Sequence, residues 1–483
     1  MWLSGLGLFL LVLGLWRLNA SHAGLLVHSG VAGDTPFQLL APEDALSEPR
    51  PLVLIAHGLA GSGTIMDGLA LSFAHAGYAA VSWDFNGHGK HPAPMEEDIY
   101  SPWLLHTVER VWAAVADHPA VDTTQLAIVG HSMGTAAALS FAQTHPETRT
   151  TVAISPVGRT VTPELPQNLL LLAGELEPRF VENARDRLEE AGGIGGSHEV
   201  GSARGLHIVP GVEHISIILA PSTHELARNW LGQSFGVQRD ARDYVDRRFL
   251  WYGLMVLGTL ILATAAMPRF TTPAHAFAIS VGYGSVVLVA AGLMATLLLW
   301  LAGLLGLSLN TLFGIRAGGY LILWFLIAGG VGLLLLKPLF TRPQRQELLN
   351  GIALFGVFWV GIGLAGGVVW LPWLLIFKRL VLWPLVTLAL LPWCLLVGEL
   401  SAQGQAGSRL AWWLGQSMVL FSALTLAIKL SPELGFLGLL LPVFPVVLLL
   451  HVIPNMVHRG AWIYAISGSM FVSWMLLAVF PLI

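Results

Sequence analysis

Residues 126 to 139 read LAIVGHSMGTAAAL. A run of apolar and β-branched residues ends at Gly130, and an alanine-rich helical pattern begins directly after Gly134, which predicts a strand, a tight turn and a helix. The two glycines leave room where strand and helix approach each other, and Ser132 is expected in a strained backbone conformation at the turn. The stretch therefore predicts a serine hydroxyl held at a helix N-terminus, whose amides can stabilise a developing negative charge.

Alternating strand and helix patterns surround this stretch from about Gly24 to Gly236. Residues 25–28 and 37–40 predict an opening hairpin. Repeated strand–helix units with near-continuous apolar strands imply a mostly parallel sheet flanked by helices on both faces. The further predicted strands are 51–58, 79–84, 126–129, 151–156, 168–174 and 206–209.

Three motifs follow one another along these strands. His57-Gly58 ends a buried strand, Asp84-Phe-Asn-Gly-His-Gly89 follows the next, and Gly130-His131-Ser132-Met133-Gly134 ends the third. In this order they resemble the α/β-hydrolase family, in which the third motif is the nucleophile elbow. His57 and Gly58 match the supporting loop where that family builds part of its oxyanion hole. Asn86 stands where the family's D-x-R-G-H-G loop has arginine. The resemblance covers residues 24–236, under half of the chain.

A serine hydroxyl needs a base to remove its proton and an acid to orient the base. The resemblance implies the chain order Ser132, acid, histidine. The strand ending at Gly174 is followed by two candidates, and the family's G-x-x-D spacing favours Glu177 over its rival Glu175. The base is then His214 in the G-x-x-H ending, with His207, inside the preceding strand, as the less favoured competitor.

The resemblance also implies the oxyanion donors, which are the backbone amides of Leu59 and Met133. No metal ligands are predicted, because His88 and His91 have no cysteine or adjacent carboxylate at ligand spacing. Cys394 is the single cysteine and lies in an apolar run, which excludes a disulfide framework. No cofactor is expected.

The second half of the chain has a different composition. Residues 1–248 contain 15 Lys and Arg against 26 Asp and Glu, whereas residues 249–483 contain 10 against 3 and hold 12 of the 18 tryptophans. Apolar runs of about 20 residues recur there, long enough to span a bilayer as helices. No basic patch with interleaved aromatic residues suggests nucleic acid. The eight predicted spans are 249–267, 278–304, 319–336, 350–371, 380–398, 410–428, 434–453 and 461–481.

The apolar run from Trp2 to Trp16 precedes Arg17 and predicts a signal anchor or a transmembrane helix over residues 1–20. The expected organisation is therefore an anchor at 1–20, an α/β-hydrolase domain at 24–236 and an all-α polytopic membrane domain at 249–483.

Positive charge in short loops marks the cytoplasmic side of a membrane protein. With the N-terminus inside, six basic residues lie in cytoplasmic loops and four in the opposite loops, which favours an exoplasmic hydrolase domain. Counting the basic residues just before the first span reverses this balance. The two sets are Arg269, Lys337, Arg342, Arg345, Arg409 and Arg459 against Arg316, Lys378, Arg379 and Lys429.

These observations predict a membrane-anchored serine hydrolase that cleaves a carboxylic ester of a lipid or lipid-linked substrate, in contact with membrane lipids. Only about eleven residues separate the strands ending at Pro156 and starting at Asn168, which leaves no room for a helical lid. The order of anchor, hydrolase and spans is also similar to the layout of the eukaryotic inositol deacylases. The alternatives are an acyltransferase, thioesterase or peptidase using the same triad, and a non-catalytic hydrolase-like module attached to a transporter or scaffold. The oligomeric state stays open.

Overall fold

A computed structural model of the chain describes residues 2–158, 160–236, 244–266, 279–336, 342–371, 376–402, 406–457 and 460–483. The chain divides into two compact units. The sheet unit comprises Trp16–Trp251 and Gly366–Pro372, and the helical unit comprises Met1–Leu15, Tyr252–Ala365 and Trp373–Ile483.

The sheet unit is built on one eight-stranded sheet with the order β1-β2-β4-β3-β5-β6-β7-β8. The opening hairpin β1–β2 and the pair β2–β4 are antiparallel, and all other neighbours are parallel. This is the predicted α/β-hydrolase fold. The strands are β1 (Leu25–Ala32), β2 (Thr35–Pro42), β3 (Arg50–Ala56), β4 (Ala79–Trp83), β5 (Val121–His131), β6 (Thr148–Ile154), β7 (Leu169–Gly174) and β8 (Arg204–Val209).

Strand β7 illustrates how the sheet separates two hydrophobic cores. Leu169 and Leu171 pack in one core cluster, whereas Leu170 and Leu172 pack in the other. Successive side chains of a strand point to opposite faces, so a continuous apolar run means burial on both sides. Helices α2 and α6 cover one face, and α4 and α5 cover the other. Helices of this unit are α2 (Gly63–His75), α3 (Trp103–Val115), α4 (Met133–Thr144), α5 (Pro178–Glu190) and α6 (Pro221–Phe235).

The helical unit contains no strand among its described residues. Within the described parts of the chain, nine helices are long and apolar enough to cross a membrane, and eight of them follow residue 247 as the sequence predicts. The ninth is α1 (Trp2–Ala20), whose 19 residues exceed the apolar run seen in the sequence. The eight are Arg248–Ala265, Val281–Leu304, Gly318–Leu336, Arg345–Leu364, Phe377–Ala402, Gly407–Leu430, Leu437–Asn455 and Ala461–Val479.

Eight of the ten basic residues used to predict orientation do not lie in described loops. Three of them, Arg345, Lys378 and Lys429, belong to helices. Arg379 and Arg409 are buried within helices Phe377–Ala402 and Ala406–Leu430, because both helices are longer than the apolar runs that predicted them. Arg269, Lys337 and Arg459 lie outside the described residues. The other two, Arg316 and Arg342, lie in described loops and come one from each set, so the described loops favour neither side.

Candidate active site

The turn between β5 and α4 holds Ser132 with φ 51° and ψ −121°, a left-handed conformation that side chains rarely adopt. A Cβ atom on Gly134 would lie 2.2 Å from the carbonyl oxygen of Ala56, and one on Gly130 would lie 2.3 Å from the carbonyl oxygen of Gly134. Both glycines are therefore required by close backbone approach. The turn presents Ser132 at the N-terminus of α4, as the sequence predicts.

His214 connects two of the predicted residues. Its Nε2 atom lies 3.0 Å from Ser132 Oγ, and its Nδ1 atom lies 2.7 Å from Glu177 Oε2. An ionised carboxylate can only accept hydrogen bonds, so Nδ1 carries the proton and Nε2 is free to accept the serine hydroxyl. All three side chains are buried, with Ser132 9% exposed.

Glu177 is held in place by its second carboxylate oxygen. Oε1 accepts hydrogen bonds from Ser155 Oγ at 2.6 Å and from the Gly174 amide at 2.6 Å. Its rival Glu175 is exposed and accepts the Gly211 amide at 2.9 Å instead. Of the two carboxylates, only Glu177 reaches the imidazole of His214.

Two further side chains surround His214. His131 donates from Nε2 to the backbone carbonyl of His214 at 2.8 Å. Burial, reinforced by the neighbouring His214, holds the pKa of His131 well below its usual value, so this imidazole stays neutral and acts as a fixed donor. The Phe180 ring stacks on the His214 ring, with centroids 4.1 Å apart.

The loop after β3 lies against the serine. A Cβ atom on Gly58 would come within 2.9 Å of Ser132 Cβ. His57 anchors this loop, because its Nδ1 donates to the Gly58 carbonyl at 2.8 Å and its Nε2 accepts the Phe85 amide at 2.9 Å. Burial lowers the pKa of His57 to about 4, which keeps it neutral. Within the described chain, neither the Leu59 nor the Met133 amide donates a hydrogen bond, so both remain available.

Asp84 organises the loop that follows β4. It accepts the Gly63 amide at 2.7 Å and the Lys90 amide at 2.8 Å. Gly89 has φ 48°, and a Cβ atom there would lie 2.2 Å from the Asp84 carboxyl carbon. This carboxylate therefore serves loop geometry, and Asn86 takes the place of arginine without disturbing the fold.

Two residues that contact the proposed triad, Ser155 and Phe180, were not predicted from the sequence. Ser155 follows β6 at the same edge of the sheet as Ser132 and Gly174, with φ 51°. Its position at a strand end is the signal that could have found it, since carboxyl ends of parallel strands meet at one edge. The competitor His207 lies in β8 and is exposed.

No group of three or more His, Cys, Asp or Glu side chains that could hold a metal ion is found in the described parts of the chain. His91 instead contacts Thr35 Oγ1 at 3.2 Å, and His88 contacts the Asn86 carbonyl at 2.8 Å. Each of the two histidines therefore forms a hydrogen bond within the surrounding loops.

The sheet unit has the α/β-hydrolase fold. Residues 47–192 match the family described as serine aminopeptidase, S33. No curated protein matches the chain.

Similar solved structures cover under half of this chain and nearly all of their own. They include an S-formylglutathione hydrolase from Agrobacterium tumefaciens (17% identity, 44% of this chain, 96% of that chain, TM-score 0.33). A dienelactone hydrolase from Anabaena variabilis has 19% identity, covering 43% and 95%, with a TM-score of 0.31. A membrane phospholipase A described as a bacterial virulence factor has 15% identity, covering 47% and 92%, with a TM-score of 0.34.

Proposed function

We propose that this protein is a membrane-anchored serine hydrolase that cleaves a carboxylic ester of a lipid or lipid-linked substrate. The observation that carries the proposal is the hydrogen-bonded chain from Ser132 Oγ through His214 to Glu177, with distances of 3.0 and 2.7 Å. Such a chain meets the geometric requirement for an activated serine nucleophile.

The reaction proceeds in two halves. Ser132 Oγ attacks the acyl carbonyl carbon while its proton passes to His214 Nε2, and the Leu59 and Met133 amides stabilise the oxyanion. Collapse of the tetrahedral intermediate breaks the ester bond, and the leaving alcohol takes the proton from His214. Water then attacks the acyl-enzyme with His214 as base, which releases the carboxylic acid and restores the serine hydroxyl. Glu177 stabilises the transient imidazolium.

A segment between two candidate spans supports a substrate at the membrane. Gly366–Pro372 belongs to the sheet unit, although it follows the candidate span Arg345–Leu364 and precedes Phe377–Ala402. Its Trp370 carbonyl accepts the hydroxyl of Ser62 at 2.8 Å. Ser62 caps α2 directly after the loop that carries the Leu59 amide. The oxyanion loop is therefore tied to a short connection between apolar helices.

The proposed organisation is an anchor at 1–20, a hydrolase domain at 24–236 and a membrane domain at 249–483, with the hydrolase domain on the exoplasmic side. A membrane-impermeant fluorophosphonate added to intact cells tests the orientation. Labelling of intact cells equal to that of lysed cells is expected, and labelling only after lysis would place the site in the cytoplasm.

Fluorophosphonate labelling of the full-length protein in detergent tests the nucleophile. Wild-type protein should label, whereas Ser132→Ala should not, and Ser140→Ala on the same helix α4 should label normally. Equal labelling of wild type and Ser132→Ala, or none of either, would contradict the proposal.

Peptide-bond cleavage is the second candidate, because the matching family is described as a serine aminopeptidase. Parallel assays with p-nitrophenyl esters of increasing acyl length and with amino-acid p-nitroanilides separate the two. Ester turnover that rises with chain length, with no anilide cleavage, is expected. Anilide cleavage abolished by Ser132→Ala would favour the peptidase.

A further inference from the structure

A cavity of about 310 Å³ lies in the sheet unit, and none of the proposed catalytic residues lines it. Three of its lining side chains are arginines. A serine, a tyrosine and a tryptophan are the other polar or aromatic side chains in its wall. The six are Arg17, Arg247, Arg248, Ser21, Tyr244 and Trp251. Its walls are rich in positive charge. Both hydroxyl protons are already donated within the chain, that of Ser21 to the Leu18 carbonyl at 2.6 Å and that of Tyr244 to Asp246 Oδ1 at 3.3 Å.

Arg248 is the most buried of the three arginines, with only 1% of the residue exposed. Its Nε atom pairs with Asp246 at 3.1 Å, but Nη1 and Nη2 are buried and have no hydrogen-bond partner in the described parts of the chain. A buried guanidinium with unmade hydrogen bonds is costly. Nη2 faces helix α2, where it would lie 3.2 Å from a Cβ atom on Gly68. Arg248 therefore supplies buried positive charge beside the cavity.

Arg17 and Arg247 add two exposed positive charges at the same cavity. Neither forms an ion pair with a carboxylate among the described residues. The Arg17 guanidinium carbon lies 4.8 Å from the centre of the Trp251 ring, which holds it over the cavity wall. Arg248 pairs with Asp246, and the buried Asp67 carboxylate also attracts it, so three arginines stand against two carboxylates.

This chemistry fits a phosphate group. Guanidinium groups bind phosphate oxygens through paired, charge-assisted hydrogen bonds. Arg17 lies near the end of the candidate span Trp2–Ala20, and Arg248 is the first residue of the next, Arg248–Ala265. Arginine and tryptophan at the ends of spans are positioned at the level of lipid headgroups. We propose that this cavity binds a phosphate group, supplied by the headgroup of an anionic membrane lipid or by a soluble phosphate.

Binding to the purified full-length protein in neutral detergent tests this site. The lipid probe is a short-chain, ether-linked phosphatidic acid, which has no carboxylic ester and so is not consumed by the proposed hydrolase. Inorganic phosphate and the corresponding ether diglyceride, which lacks phosphate, are the other two arms. Dissociation constants are measured from the ligand-dependent rise in the midpoint of thermal unfolding, followed by tryptophan fluorescence.

Arg247→Gln and Arg17→Gln should each weaken binding of the lipid probe about tenfold, the loss expected for one charged hydrogen bond. Arg247→Lys should weaken it less, since the charge stays. Arg185→Gln, which removes an exposed arginine on α5, is the matched control and should bind as wild type. Because Arg17 and Arg247 are exposed, at least one variant is expected to fold.

Binding of the lipid probe alone supports a headgroup site, and equal binding of inorganic phosphate supports a site for soluble phosphate. Binding by the diglyceride as strong as by the phosphatidic acid overturns the proposal. Affinity unchanged in both Arg17→Gln and Arg247→Gln, or no binding of either phosphate probe, also overturns it. Loss of Ser132 labelling would leave this result unaffected, so the two proposals fail independently.

Discussion

The Nε2 atom of His131 lies 2.8 Å from the backbone carbonyl oxygen of His214, 83 positions later in the chain. The hydrogen bond ties the loop of the proposed base to the turn of the proposed nucleophile. The residue between Gly130 and Ser132 therefore positions the base, in addition to shaping the turn.

Replacing His131 tests this positioning role. His131→Leu should lower kcat for p-nitrophenyl esters about tenfold with little change in KM, because one buried hydrogen bond is lost. His131→Gln keeps a donor and should restore most of kcat. Equal losses in both variants, or a change confined to KM, would contradict the role. Circular dichroism checks that both variants keep the fold.

The two glutamates after β7 provide a matched pair. Glu177→Gln should lower kcat about a thousandfold or more, because the amide no longer stabilises the imidazolium or its tautomer. Glu175→Gln removes an exposed contact with the Gly211 amide and should stay within about twofold of wild type. Steady-state kinetics on one ester measures both variants. Similar losses in the two would show that Glu177 is not the acid.

The buried His57 predicts a pH-dependent contribution to stability. Its folded-state pKa of about 4 is below the unfolded value of 6.5, so the unfolded chain binds more protons between these values. The stability it contributes is present above pH 6.5 and is lost as the pH falls toward 4. Over this range the loss amounts to about 3 kcal/mol.

Thermal unfolding between pH 7 and pH 4 measures this effect. The unfolding midpoint of His57→Gln should fall less steeply with acid than that of wild type, because the titrating group is gone. His207→Gln replaces an exposed histidine of β8 and should keep the wild-type slope. Parallel curves for wild type and His57→Gln would contradict the prediction.

Gly134 tests the close approach of α4 to β3. In Gly134→Ala the new Cβ atom would meet the Ala56 carbonyl oxygen at 2.2 Å, so the turn must deform. Fluorophosphonate labelling should fall at least a hundredfold, or the protein should fail to fold. The control Gly158→Ala meets only Tyr100 Oη at 3.8 Å and should label normally. Normal labelling of Gly134→Ala would contradict the account of the turn.

Most of the fold could be predicted from local sequence patterns. The apolar runs of β3 and β7 and the glycines around Ser132 depend on neighbours a few residues away, so they predict the strands and the turn. Helix ends were less predictable, as with the span predicted over 380–398, whose helix runs from Phe377 to Ala402. The reason is that tertiary packing extends a helix beyond its own periodic pattern.

The residues that hold the proposed triad in place could be identified only from the folded structure. Spacing after Gly174 favoured Glu177, but only the folded chain shows Glu175 directed to the Gly211 amide instead. Two contacts join residues from separate strand ends, Ser155 with Glu177 and His131 with His214. Neither contact can be predicted from residues that are close in sequence. Phe180 shares its helix with charged residues and gave no signal of its ring contact.

The hydrogen bond from Ser62 to the Trp370 carbonyl joins residues 308 positions apart. A truncated protein that stops at residue 251 would lack the acceptor of this buried hydroxyl, together with the buried side chains of Val369 and Leu371. Such a fragment would therefore be a poor substitute for the full chain in crystallisation or inhibitor screening, even though it contains every strand of the sheet.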